Sequence, residues 1–152
     1  MKNHAAFIIR DGDKLLFVQR AATKKSLPNI WAFPSGTIEE GERAEETAAR
    51  EAKEELAVDV AVEGVIAVAA LEELGARLHF VVCRMTRRTP IVADPGEIQA
   101  FRWMTLPDFF AEFSDDEIGH GLIWLRAVPA VWQGYFKRNL SAAENKKKIQ
   151  EA

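Results

Sequence analysis

Glu51, Glu54 and Glu55 stand at i, i+3 and i+4 within Ala44–Leu56, a stretch rich in Ala and Glu that contains neither Gly nor Pro. Such a stretch favours a helix. At roughly 100° per residue, the three carboxylates then fall within about 100° of the helix circumference. Like charges on one face repel. A solvated helix tolerates this at modest cost, so ordinary surface is one reading. The other is a site for a hard divalent cation, which prefers oxygen ligands. Arg50 adjoins the same face, and its guanidinium can clamp a carboxylate bidentately. Glu42, at the start of the helix, is a suitable partner and also suits the positive end of the helix dipole. Gly36 sits at a sharp exit from a strand, where the missing side chain lets backbone approach a metal and offer a carbonyl. Glu45, Glu46 and Lys53 read as solvated surface.

These residues need a frame. Ala5–Ile9 and Lys14–Gln19 are apolar runs around Asp11-Gly12-Asp13, the pattern of a β-hairpin. A polar loop, Ala22–Asn29, leads to a short strand, Ile30–Phe33, that stops at Pro34-Ser35-Gly36. The helix Ala44–Leu56 carries Ala44, Ala48, Ala52 and Leu56 at every fourth position. Three of these four are alanine, so the helix can lie close to a sheet. Val58–Leu71 reads as a strand interrupted near Gly64, Leu74–Ala76 as a turn, and Arg77–Met85 as a strand. Arg87–Gly96 is a loop with two prolines. Glu97–Met104 is a strand with Phe101 and Trp103 on one face. Pro107–Phe113 is a short helix, and Ile118–Leu140 is helical with a division at Pro129. Strands and helices alternate without regular βαβ units, which favours an α/β fold with a mixed sheet packed between helices.

A chain of 152 residues, nearly half apolar, suits one domain with a real core. Residues 1–140 form that domain, and 141–152 form a polar tail carrying Lys146, Lys147 and Lys148. The net charge of −3 argues against binding polyanions through bulk charge. Cys83 is the only cysteine, so no internal disulfide forms; it lies in an apolar run and reads as a small core side chain. No signal-peptide pattern and no membrane-length apolar run is present, which points to a soluble, cytoplasmic protein. His4 and His120 have no ligand spacing with Cys83 or another histidine, so no zinc site is expected.

From Gly36 to Val58 the chain reads GTIEEGERAEETAAREAKEELAV. This resembles the signature of the Nudix hydrolases: Gly, five residues, Glu, seven residues, Arg-Glu, an aliphatic, any residue, Glu-Glu, any residue, Gly, an aliphatic. Gly36, Glu42, Arg50, Glu51, Glu54 and Glu55 all fall in place. With each such residue type at about 6–7% frequency, six fixed matches arise by chance roughly once in 10⁷ placements. Trp31-Ala32-Phe33-Pro34 is also similar to the strand leading into that box. Two positions depart from the pattern. Ala52 stands where a bulkier aliphatic is usual. Ala57 replaces the glycine after the helix, where a left-handed conformation costs Ala roughly 1 kcal/mol more than Gly.

The resemblance implies a Nudix α/β/α sandwich and hydrolysis of a nucleoside diphosphate linked to a group X. Glu51, Glu54 and Glu55 would hold Mg²⁺, with Mn²⁺ as a substitute, assisted by the Gly36 carbonyl. Glu42 would be structural within the box, and Arg50 would orient its carboxylates. The base would lie on the helix or on a distant loop, where Glu97 is the candidate; an ordinary exposed glutamate is the other reading of that residue. Downstream markers of the ADP-ribose and diadenosine polyphosphate subfamilies are missing: no proline lies between Pro34 and Pro90, and Tyr135 is the only tyrosine. The upstream coenzyme A motif is also absent. What is left is a MutT-like hydrolase of nucleoside triphosphates or a related nucleotide.

Arg20, at the end of the first hairpin, could reach a terminal phosphate, and Lys24 and Lys25 could cover the mouth of the site. Trp31 and Phe33 share one side of their strand, where they would stack on a base or pack in the core. His79 would touch substrate or be a hydrogen-bonded structural histidine. Two other roles stand beside this reading: an RNA 5′-pyrophosphohydrolase, the one way nucleic acid would be a partner, and a non-catalytic nucleotide-binding regulatory domain. A homodimer, common in the family, would draw on Trp124, Trp132 and Phe136, which could equally cover the sheet of one subunit.

Overall fold

In the computed structural model, residues 1–138 are described, with side chains as far as Gly134. Phe136 as an interface side chain and the lysine run Lys146–Lys148 lie outside the described residues. Seven strands build one mixed sheet: β1 (Lys2–Asp11), β2 (Lys14–Arg20), β3 (Trp31–Ala32), β4 (Ser35–Thr37), β5 (Val60–Leu71), β6 (Ala76–Met85) and β7 (Ile98–Met104). β1 is central. It runs parallel to β6 over Lys2–Arg10 and antiparallel to β2 and β4. β7 pairs with β2, and β5 with β6, both antiparallel.

Period-two alternation in β1 supplies both faces of the sheet. Ala6 and Ile8 face one layer, and Ala5, Phe7 and Ile9 the other. The second face is covered by α1 (Ala44–Leu56), whose Ala48, Ala52 and Leu56 are fully buried. The alanines let this helix sit close to the strands, as expected. The first face is covered by α2 (Leu106–Glu112), α3 (His120–Ala127) and α4 (Pro129–Arg138). Here Phe17 stacks on Phe109 at 3.9 Å and Phe80 on Trp124 at 5.7 Å. Trp132 is 8% exposed and donates its indole N–H to the Leu125 carbonyl at 2.9 Å. Trp124 and Trp132 therefore cover the sheet of their own chain. Pro129 opens α4, where its missing N–H is harmless.

Three details position the site. The strand expected to end at Pro34 resumes immediately as β4, pairing Gly36 with Ala5. Register shifts between Val62 and Gly64, as the glycine suggested. Finally, α1 ends on Ala57 in the left-handed conformation, φ 58°, ψ 33°. This is the position where the family pattern has glycine. No described helix is long and apolar enough to cross a membrane.

Candidate active site

Arg50 is the hub of the box. Its Nε and Nη2 donate to the two carboxylate oxygens of Glu42 at 2.8 and 3.0 Å, the bidentate clamp expected from the spacing. The fully buried Thr47 donates its hydroxyl to Glu42 Oε1 at 2.6 Å. Glu39 N–H donates to the same oxygen at 3.2 Å. Arg50 and Thr47 together hold the Glu42 carboxyl at about 2, well below the usual carboxylate range. Arg50 is raised in turn, chiefly by Glu42. Thr47 was not singled out from sequence, although it is the one polar residue on the buried face of α1, five positions after Glu42.

The same guanidinium reaches further. Nη1 donates to Glu51 at 2.9 Å and to Glu54 at 3.2 Å, and Nη2 donates to the Thr37 carbonyl at 3.3 Å. Gly36 lies directly under Glu51. A Cβ there would stand 2.4 Å from Glu51 Cγ, 2.5 Å from Cδ and 2.8 Å from Oε1. Glycine is thus required because the Glu51 side chain occupies the place of its missing one.

Glu55 has the opposite electrostatics to Glu42. Its carboxyl is pushed up to about 8, first by burial, then by a hydrogen bond with Glu51 and the negative charges of Glu51, Glu97 and Glu54. Glu54, Glu55 and Glu97 line one open cleft of about 640 Å³, together with Arg20, Ser35, Val92 and Asp94. Glu97 stands 41 residues from α1's last residue in the chain, yet it faces the same space. Val92–Asp94 forms a wall of this cleft that no sequence pattern marks. It is secured by the Val92 N–H donating to the Leu56 carbonyl at 3.0 Å.

The donor chemistry fits a hard divalent cation. Carboxylate oxygens crowd together, the half-buried Glu55 carboxyl is pushed up by burial and then by its acidic neighbours, and Gly36 brings backbone up to Glu51. The arrangement is not a finished cage: among the described residues no three His, Cys, Asp or Glu side chains stand ready to hold an ion. In this arrangement Arg50 draws Glu51 and Glu54 to itself.

The remaining candidates divide. Arg20 lines the cleft, but its Nε and Nη2 donate to the carbonyls of Ser26 and Leu27 at 2.9–3.2 Å. Phe33 is 5% exposed and stacks on Phe17 at 5.0 Å, so most of its ring belongs to the core. Trp31 packs against Phe113 at 5.7 Å. His79 is not brought to the cleft. It lies in a separate hollow and pairs with Asn3 Oδ1 at 3.1 Å; burial first, then Arg77, lowers its basicity.

A NUDIX domain family model matches residues 2–123. The chain belongs to the NUDIX family. Among curated relatives, Nudix hydrolase 2 of Arabidopsis thaliana is 31% identical over 107 residues, which covers 68% of this chain and 38% of the plant protein. This Nudix chain therefore spans only about a third of the length of the plant relatives it matches. Among solved structures, a Deinococcus radiodurans protein superposes with TM-score 0.67 at 21% identity, covering 83% of this chain and 82% of its own. A MutT protein of Methanosarcina mazei superposes with TM-score 0.63 at 17% identity, covering 95% of each chain. At these identities the superpositions establish the Nudix fold.

Proposed function

We propose that this Nudix chain hydrolyses a diphosphate linkage in a nucleoside diphosphate joined to a group X, acting on a nucleoside triphosphate or a related nucleotide in the manner of MutT. The observation that carries this reading is the shape of the cleft. Its acidic end holds Glu54, Glu55 and Glu97. Past Arg20, Phe33 and Ser35 it adjoins an apolar hollow of about 170 Å³ lined by Leu78, Phe80 and Leu122. An acidic end beside an apolar hollow suits a ligand that is polyanionic at one end and apolar at the other. The plant relatives' names as Nudix hydrolases support the same reading.

Glu51, Glu54 and Glu55 would hold Mg²⁺, or Mn²⁺ in its place. Bound there, the ion would neutralise diphosphate oxygens and acidify a water molecule. The chain's own residues do the rest. Arg50 sets the directions of Glu51 and Glu54. Val92–Asp94 walls the cleft. Water supplies an oxygen to one phosphorus, the bridging P–O bond breaks, and a carboxylate takes the water proton. Glu97 is our candidate for that carboxylate, because it faces the cleft from outside α1 and has no contact with Arg50.

The test is a panel of canonical and oxidised nucleoside triphosphates, ADP-ribose, nucleotide sugars, dinucleoside polyphosphates and triphosphorylated RNA, each with Mg²⁺ and with products resolved. Turnover that needs the ion and collapses in Glu54→Gln supports the reading, and the best substrate names X. Binding without cleavage in folded protein would replace it with the regulatory reading. A clear preference for the RNA would replace the mononucleotide substrate.

A further inference from the structure

The loop between Arg20 and Trp31 is built rather than slack. Asn29 N–H donates to the Arg20 carbonyl at 3.1 Å, and Ala21 N–H to the Glu97 carbonyl at 2.9 Å. Gln99 ties both ends of the loop. Its carbonyl accepts from Ala22 N–H at 2.9 Å, and its amide donates to Asn29 Oδ1 at 2.9 Å. Arg20 holds the middle through the Ser26 and Leu27 carbonyls. Leu27 and Asn29 both take left-handed backbone, φ 50° and 63°. For Leu this conformation persists only when surrounding contacts impose it.

The result of this construction is the placement of Lys24. A turn, Lys24 N–H to the Ala21 carbonyl at 3.2 Å, swings its side chain back so that Nζ lies 2.7 Å from Glu97 Oε2. The two side chains are 27% and 59% exposed, and an ion pair so open contributes little to stability. Its consequence is positional: it fixes which way the Glu97 carboxylate faces. An ammonium has three donors. Among the described residues only Glu97 takes one, so two remain for an incoming anion at the acidic end of the cleft. Arg20, the cation in the cleft wall, already directs Nε and Nη2 to loop carbonyls.

We propose that Lys24 is a positioning residue of this cleft, holding Glu97 with one donor while its others engage a phosphate oxygen of the substrate. This rests on the hydrolase reading above. It predicts that substrate and Glu97 are aligned by one shared cation carried on a preformed loop.

The experiment compares wild type, Lys24→Met, Lys24→Arg, Glu97→Gln and the Lys24→Met/Glu97→Gln pair. Lys14→Met, at the opposite end of β2 from Arg20, is the charge control. Imidodiphosphate with Mg²⁺ is the binding probe, because it keeps the diphosphate and does not depend on the base. Turnover of the best nucleotide is read in parallel. Loss of a charge-assisted contact should weaken imidodiphosphate binding about 10-fold in Lys24→Met. Lys24→Arg should recover part of that loss, and Lys14→Met should match wild type. Glu97→Gln should lower kcat with little change in probe affinity. In that background Lys24→Met should still weaken binding but no longer change kcat. Wild-type binding and kcat in Lys24→Met, no recovery with Arg, or additive effects on kcat would each overturn the proposal. If wild type binds the probe but cleaves no nucleotide, the hydrolase reading fails and the binding comparison alone decides Lys24. If wild type neither binds nor cleaves, both fall together.

Discussion

Glu42 and Glu55 are the same side chain at the two ends of α1, and the fold treats them in opposite ways. Glu42 is closed: Arg50 covers both oxygens, Thr47 donates to one, and its carboxyl is held at about 2. Glu55 is open to the cleft, half-buried among carboxylates, and pushed up to about 8. The first is satisfied and therefore structural. The second is surrounded by other carboxylates, and the proposed function gives it a cation to hold. Residue type and spacing put both into the same motif; only the surroundings separate the brace from the working end.

The comparison can be broken in several places. The largest effect is expected at the open end. Glu54→Gln, an exposed side chain, should leave the fold intact and lower turnover roughly 10²–10⁴-fold, read as kcat under Mg²⁺ saturation. Wild-type turnover in that variant would remove Glu54 from the chemistry. Next is Gly36→Ala. Its Cβ collides with Glu51 Cγ and Cδ, so Glu51 must leave its place. Activity and ion affinity should fall about 10–100-fold, measured by turnover and calorimetry. Arg50→Lys tests the closed end. A point charge cannot reproduce the fork on Glu42 while still reaching Glu51 and Glu54. Thermal stability and turnover should both drop, turnover by about tenfold, whereas a purely structural brace would move only stability.

The pH dependence separates the two ends by sign. Glu42 is depressed, so its contribution is complete above the ordinary carboxylate value and disappears only as pH falls through about 2. Glu55 is raised. Its folded form retains a proton the unfolded chain would lose, so metal-free protein should lose stability as pH rises from about 4.5 toward 8. Denaturant midpoints with and without Mg²⁺ check this: the ion should flatten the upper slope. The smallest effect is at Ala57. Its left-handed backbone makes Ala57→Gly stabilising by about 1 kcal/mol, read from the denaturation midpoint, with turnover unchanged.

Much of this was legible in the chain. The helix bounds Ala44–Leu56, its alanine face and the Glu42–Arg50 clamp follow from local rules about periodicity and spacing, and the left-handed Ala57 stands where the resemblance to the family pattern places glycine. What escaped was non-local. β4 was hidden because Pro34 ends one strand, while pairing with distant β1 starts the next. The parallel partnership of β1 with β6 joins residues that no local pattern connects. Lys24 and Glu97 are 73 positions apart, and neither has a neighbour in sequence that announces the other. His79 was a substrate candidate by strand face, yet β6 carries it to a different hollow, beside Asn3 and the start of α1.

The most direct test of the central claim is a calorimetric titration of metal-free protein with Mg²⁺ at pH 7, repeated in two buffers of different ionisation enthalpy. Because Glu55 stays protonated up to about 8, saturable binding should release about one proton per ion, and Glu55→Gln should abolish that release and weaken binding. Absence of saturable binding, or binding that releases no proton and is unchanged in Glu55→Gln, would contradict the assignment of this end of α1 as the cation site.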